Sequence, residues 1–139
     1  MDALAAVNAA LGVTPPPANT INEVESNNTL ATAQLISATP VTVNGTIGRT
    51  TDTDYFKLTV GAGKTLTAKL TPNASSDYDL YLYNSSGTQL ASATAGTGAV
   101  DTITRTNTGT AAVTWIVRVR YYSGGVGSTS GKYTLGLAQ

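Results

Sequence analysis

The stretch DYFKLTVGAGKTLTAKL, residues 54–70, decides the architecture of this 139-residue chain. Phe56, Leu58 and Val60 fall on one parity and Tyr55, Lys57 and Thr59 on the other; past Gly61-Ala62-Gly63 the alternation resumes with Leu66, Ala68 and Leu70. Successive side chains of a strand point to opposite faces, so this period means a strand with one buried face, whereas a helix would repeat its apolar positions every three to four residues. The glycines between the two runs supply the turn. The same grammar extends outward to strands expected over 41–47, 54–60, 65–70, 79–83, 89–93, 100–106, 113–121 and 132–137. They are separated by turn-forming runs such as Asn84-Ser85-Ser86-Gly87, Asn107-Thr108-Gly109 and Ser123-Gly124-Gly125. About eight short strands, each apolar on one face, imply an all-β, antiparallel two-sheet sandwich. Its expected core holds Phe56, Leu58, Leu66, Leu70, Leu80, Leu82, Val117, Val119, Leu135 and Leu137.

Composition supports this and narrows the chemistry. Hydrophobic residues make up 41% of the chain and the formal net charge is zero, which places it among folded domains rather than disordered ones. Neutrality gives no electrostatic basis for a nucleic-acid or anionic-membrane partner, and no apolar run is long enough to span a bilayer. There is no cysteine and no histidine. Their absence removes disulfides, thiolate zinc sites and every Ser-His or Cys-His nucleophile pair, leaving a two-carboxylate hydrolase as the remaining catalytic option. We therefore expect a non-catalytic domain.

The N-terminus differs from the rest. Residues 2–11, DALAAVNAAL, carry a helical pattern of Leu4, Val7 and Leu11, with Gly12 as a stop and Pro15, Pro16 and Pro17 as a stiff spacer. Such a short helix is marginal without something to pack on. We expect 1–12 to be a helical remnant of an upstream catalytic domain or a leader, 13–21 a proline-rich linker, and 22–139 the sandwich. No signal-peptide pattern is visible.

Six of the eight acidic residues form i, i+2 pairs: Glu23/Glu25, Asp52/Asp54 and Asp77/Asp79. In extended chain such a pair projects to one side, and like charges that close repel unless a cation intervenes. Oxygen donors alone select a hard ion, calcium ahead of magnesium. The alternative is that these are solvated turn residues, and for Asp77/Asp79, which has no amide cluster beside it, that alternative is favoured.

With these segments laid out, residues 22–139 resemble the bacterial pre-peptidase C-terminal domain family, which includes the collagen-binding domains of clostridial collagenases. The resemblance lies in Glu23-Val24-Glu25-Ser26-Asn27-Asn28, Asn44-Gly45-Thr46-Ile47, Asp52-Thr53-Asp54-Tyr55-Phe56, Asp79-Leu80-Tyr81-Leu82-Tyr83 and Gly131-Lys132-Tyr133-Thr134-Leu135. It implies a jelly-roll-like sandwich attached to a secreted peptidase, with Ca2+ held by Glu23, Glu25, Asn27, Asp52 and Asp54. Ser26 stands where proline is common and Asn28 where aspartate is common, which bears against a second ion. Asp2-Ala3-Leu4-Ala5-Ala6-Val7 is similar to the last helix of subtilisin-like serine proteases, implying such a parent.

The late strand offers a partner surface. Val117, Val119 and Tyr121 would point inward; Ile116, Arg118, Arg120 and Tyr122 would point outward beside Tyr81 and Tyr83. Arginine with tyrosine is the composition of interface anchors, and also of an ordinary outer face whose arginines snorkel. In the collagen-binding relatives a tyrosine important for ligand falls where this chain has Arg120, so collagen affinity is not implied. The expected function is to hold a secreted, extracellular protease on insoluble protein or polysaccharide. The alternative is a processing element removed during maturation.

Overall fold

The computed structural model describes residues 19–139; the helix expected over 2–11 and Pro15, Pro16 and Pro17 lie outside them. In chain order the elements are β1 (Asn19–Asn22), β2 (Gln34–Leu35), β3 (Val41–Thr46), β4 (Thr53–Val60), β5 (Thr65–Pro72), β6 (Asp77–Asn84), β7 (Gln89–Ala93), β8 (Asp101–Thr106), β9 (Val113–Ser123), a one-turn helix α1 (Gly127–Ser130) and β10 (Lys132–Ala138). They form two five-stranded sheets, ordered β1-β3-β10-β5-β8 and β2-β4-β9-β6-β7. The sequence-expected strands are all present, with boundaries shifted by a residue or two.

Two strands were not expected. β1 lies parallel on β3, with Asn19 opposite Val41, and β2 lies parallel on β4, with Gln34 opposite Phe56. Both are short and mostly exposed, so neither carries the apolar alternation by which a strand is recognised. The sheets are therefore mixed rather than wholly antiparallel. Residues 19–21, within the span 13–21 expected as linker, are paired on β3.

The parity reading of the core holds: all ten expected core residues are at most 1% exposed. Tyr78, Trp115 and Tyr133 join them. Ile116, expected on the outer face, is buried. Its cross-strand neighbours are Lys57 and Tyr83, long side chains that share its face and cover it.

The register of the second sheet positions the side chains of its outer face. Across β4, β9 and β6 the outward side chains stand in rows: Thr53, Arg120 and Asp79; then Tyr55, Arg118 and Tyr81; then Lys57, Ile116 and Tyr83. On the inward parity Asp54 is opposite Val119, which is opposite Leu80. Asp54 thus occupies a core-facing position at the head of β4.

A candidate metal centre beside an aromatic face

The segment between β1 and β2 crosses from one sheet to the other. At its start Glu23 continues the β1 ladder, its N–H donating to the Asn44 carbonyl at 2.8 Å while its Oε1 accepts from the Thr46 N–H at 2.8 Å. Four residues on, the Asn27 carbonyl accepts from the Tyr55 N–H of β4 at 2.8 Å. This crossing carries Glu23 and Glu25 over the end of the sandwich where Asp54 points inward. Glu23, Glu25 and Asp54 each bring a carboxylate oxygen within 4.8 Å of the other two. Oxygens around calcium sit 2.3–2.6 Å from the ion, so ligands on opposite sides are separated by at most roughly 5 Å. The three oxygens are spaced to share one ion.

The hydrogen-bond accounting points the same way. Asp54 and Asn27 are fully buried, yet Asp54 Oδ1, Glu23 Oε2 and both side-chain polar atoms of Asn27 have no partner. A buried polar atom left unsatisfied costs about 1–3 kcal/mol, more when charged. The oxygens among them, on Glu23, Asp54 and Asn27, are hard donors that a shared cation would satisfy. Asp54 Oδ2 is satisfied: the Tyr133 hydroxyl donates to it at 2.7 Å from the opposite sheet. Tyr133 reaches it because its partner across the ladder is Gly45. A Cβ at that position would overlap the tyrosine ring.

Electrostatics describe a metal-free site that holds protons. Burial first, then the neighbouring carboxylate of Glu23, push Asp54 up to about 11, against the opposing effect of the Tyr133 hydrogen bond. Burial and Glu23 raise Glu25 as well. Tyr133 is held well above its ordinary value by burial first and by Asp54 next.

The expected ligands are not all brought together. Glu23, Glu25 and Asp54 converge, with Asn27 buried beside them. Asp52 lies on the solvent side, where its Oδ2 accepts from the Gly48 N–H at 2.8 Å and closes the turn into β4. Asn28 fills the space between, its amide donating to the Thr53 carbonyl at 2.9 Å, to Asp52 Oδ1 at 2.9 Å and to Glu25 Oε1 at 3.2 Å. Tyr133 and Gly45 were quoted in the sequence as parts of motifs without a role. The signal that could have found the tyrosine is its position opposite a glycine on an inward parity.

The outer face of the same sheet carries the expected partner residues in two groups. Arg118, Tyr81 and Tyr83 gather with Tyr55, which was not singled out. The Arg118 guanidinium lies 5.3 Å from the Tyr55 ring centre and 5.8 Å from that of Tyr81. Arg118 also donates to Thr53 Oγ1 at 2.8 Å and to the Tyr83 hydroxyl at 3.2 Å. Tyr81 and Tyr83 stack at 6.4 Å. Arg120 and Tyr122, both exposed, lie further along β9; Tyr122 borders a hollow it shares with Asp77 and Asp79.

Set against known proteins, residues 52–121 match the model of the bacterial pre-peptidase C-terminal domain. The fold is similar to that of the pre-peptidase C-terminal domain of a collagenase from Bacillus anthracis, with a TM-score of 0.59 at 16% identity over 76% of this chain and 93% of that one. No curated protein matches the sequence.

Proposed function

This chain belongs to the bacterial pre-peptidase C-terminal domain family, and from that premise we propose that it is an accessory module of a secreted protease, holding its parent enzyme on insoluble protein or polysaccharide. The family is one of non-catalytic accessory domains. The observation that carries the binding role is the platform on the outer sheet face. Three tyrosines and Arg118 are fixed against one another by the register of β4, β9 and β6 and by the hydrogen bonds of the guanidinium. Side chains already ordered lose little entropy on binding, and planar faces beside a cation suit both sugar rings and the proline or aromatic groups of fibrous protein. The similarity of residues 2–7 to the end of a subtilisin-like catalytic domain supports a serine protease parent.

Calcium is the second part of the proposal. Glu23, Glu25 and Asp54 would hold it, with Asn27 Oδ1 available as a neutral donor. Bound there, the ion supplies the positive charge that lets the buried carboxylates ionise. Asp54 must release its proton for this, and Tyr133 keeps the carboxylate oriented by donating to its other oxygen. The consequence is structural: the entry segment is fastened to both sheets.

Retention of the domain on insoluble collagen, chitin and cellulose tests the binding role. The expected result is retention on at least one, lost in Arg118→Ala and Tyr81→Ala and reduced in Arg120→Ala or Tyr122→Ala. Absence from all three, together with a mass shift showing clean excision from the parent, would favour a processing element instead.

A further inference from the structure

Three of the chain's eight basic residues stand in a line across the outer face of the second sheet. Arg118 and Arg120 are two residues apart on β9, roughly 7 Å along the strand. Lys57 of β4 is opposite Ile116 and so diagonal to Arg118, roughly 7–8 Å away. Of the nine residues in the three outward rows, Asp79 alone carries a carboxylate. It is only 7% exposed, whereas Arg120 beside it is open to solvent. The face that a partner meets is therefore cationic and aromatic.

The surroundings of Arg118 sharpen this. It is half-buried, and it is held by the hydroxyls of Thr53 and Tyr83 and by the rings of Tyr55 and Tyr81, all uncharged. These partners fix the guanidinium without balancing its charge. Arg118 and Arg120 also line one open hollow of about 350 Å³ with Thr50, Thr51 and Thr53. Asp52 borders that hollow too, but its two oxygens are already engaged by the Gly48 N–H and the Asn28 amide. An incoming anion finds two guanidinium groups and three hydroxyls there, next to three tyrosine rings.

Resting on the binding role proposed above, we infer that the substrate is an acidic polysaccharide of the uronic acid type. Its carboxylates lie on the line of Lys57, Arg118 and Arg120, and its sugar rings on Tyr55, Tyr81 and Tyr83. Guanidinium groups pair carboxylates through two parallel N–H donors, and the apolar face of a sugar ring leaves water against a tyrosine ring. Each unit of such a polymer brings a ring and a negative charge at a fixed spacing. A neutral polysaccharide would leave the cations unmatched, an acidic polypeptide would leave the rings unmatched, and complementary charge is what selects between partners of similar shape.

The test is retention of the full-length chain on cross-linked polygalacturonate beads, beside beads of its methyl ester, polyglutamate, collagen, chitin and cellulose. Chelator is present so that calcium cannot bridge the polymer to the acidic site, and circular dichroism confirms that each variant is folded. Polygalacturonate should retain the chain most firmly, its methyl ester far less, and high salt should release it. Lys57→Gln/Arg120→Gln should weaken that retention about tenfold, the sum of two exposed ion pairs. Lys69→Gln/Lys132→Gln, which removes the same charge from the outer face of the other sheet, should leave it unchanged. Equal retention on the acid and its ester, or equal loss in the two double variants, would overturn the inference. Polyglutamate held as firmly as polygalacturonate would make the partner an acidic protein instead. Retention on collagen, chitin or cellulose but not on polygalacturonate would overturn the acidic substrate and leave the binding role standing; retention on none of the six would overturn both.

Discussion

Asp52/Asp54 and Asp77/Asp79 look alike in the sequence, each an aspartate pair at the head of an alternating strand, and the structure treats them in opposite ways. Asp54 shares the parity of Phe56, Leu58 and Val60 and faces the core; Asp79 shares the parity of Tyr81 and Tyr83 and faces outward. The first is fully buried and pushed up to about 11; the second is 7% exposed beside an open hollow and is raised to about 6. Spacing therefore tells that two carboxylates are close, while parity against the apolar row tells which of them faces the core and is hardest to ionise.

The largest expected effect that separates the two regions is on pH. Every carboxylate with a shifted value here is raised, so between the unfolded and folded values the folded metal-free chain binds more protons than the unfolded one. Stability in chelator should then fall as pH rises above about 4, by no more than roughly 1.4 kcal/mol per unit for any one group. Asp79 contributes only up to about 6, whereas Asp54 contributes throughout the neutral range. Thermal melting in chelator across pH should show the slope above neutrality flattened by Asp54→Asn and unchanged by Asp79→Asn; the reverse pattern would break the comparison.

Gly45→Val comes next. Its branched side chain would overlap the Tyr133 ring, and overpacking of this kind costs about 1–3 kcal/mol. Denaturant unfolding should show that loss, and because the tyrosine is displaced from Asp54 the gain from calcium should shrink with it. Tyr133→Phe is the milder version. It removes a 2.7 Å hydrogen bond to Asp54 and leaves the ring in place, for an expected loss of about 1–2 kcal/mol. In both variants the tyrosine–arginine face should keep its binding, and loss of retention on an insoluble substrate would show that the two regions are not separate.

The central strands and the core were legible because alternation is a strong signal wherever one face is buried. β1 and β2 were not, since Asn19–Asn22 and Gln34–Leu35 bury almost nothing and exist through main-chain pairing with β3 and β4. That the carboxylates of Glu23, Glu25 and Asp54 lie close together was foreshadowed by the paired charges and the family resemblance. The diversion of Asp52 to Gly48 did not, because a turn's hydrogen bonds depend on backbone geometry that spacing does not encode.

The melting temperature of wild type and of Asp54→Asn, each in calcium and in chelator at neutral pH, tests the central claim that a cation fastens the entry segment through Asp54. For the wild type, calcium at a hundredfold excess over its Kd should add about 2.7 kcal/mol, a rise of several degrees. Asparagine is a neutral mimic of the protonated carboxyl, so in chelator the variant should melt at or above the wild-type temperature. In calcium it should gain little and fall below wild type. A calcium-induced rise of equal size in both proteins would contradict the account.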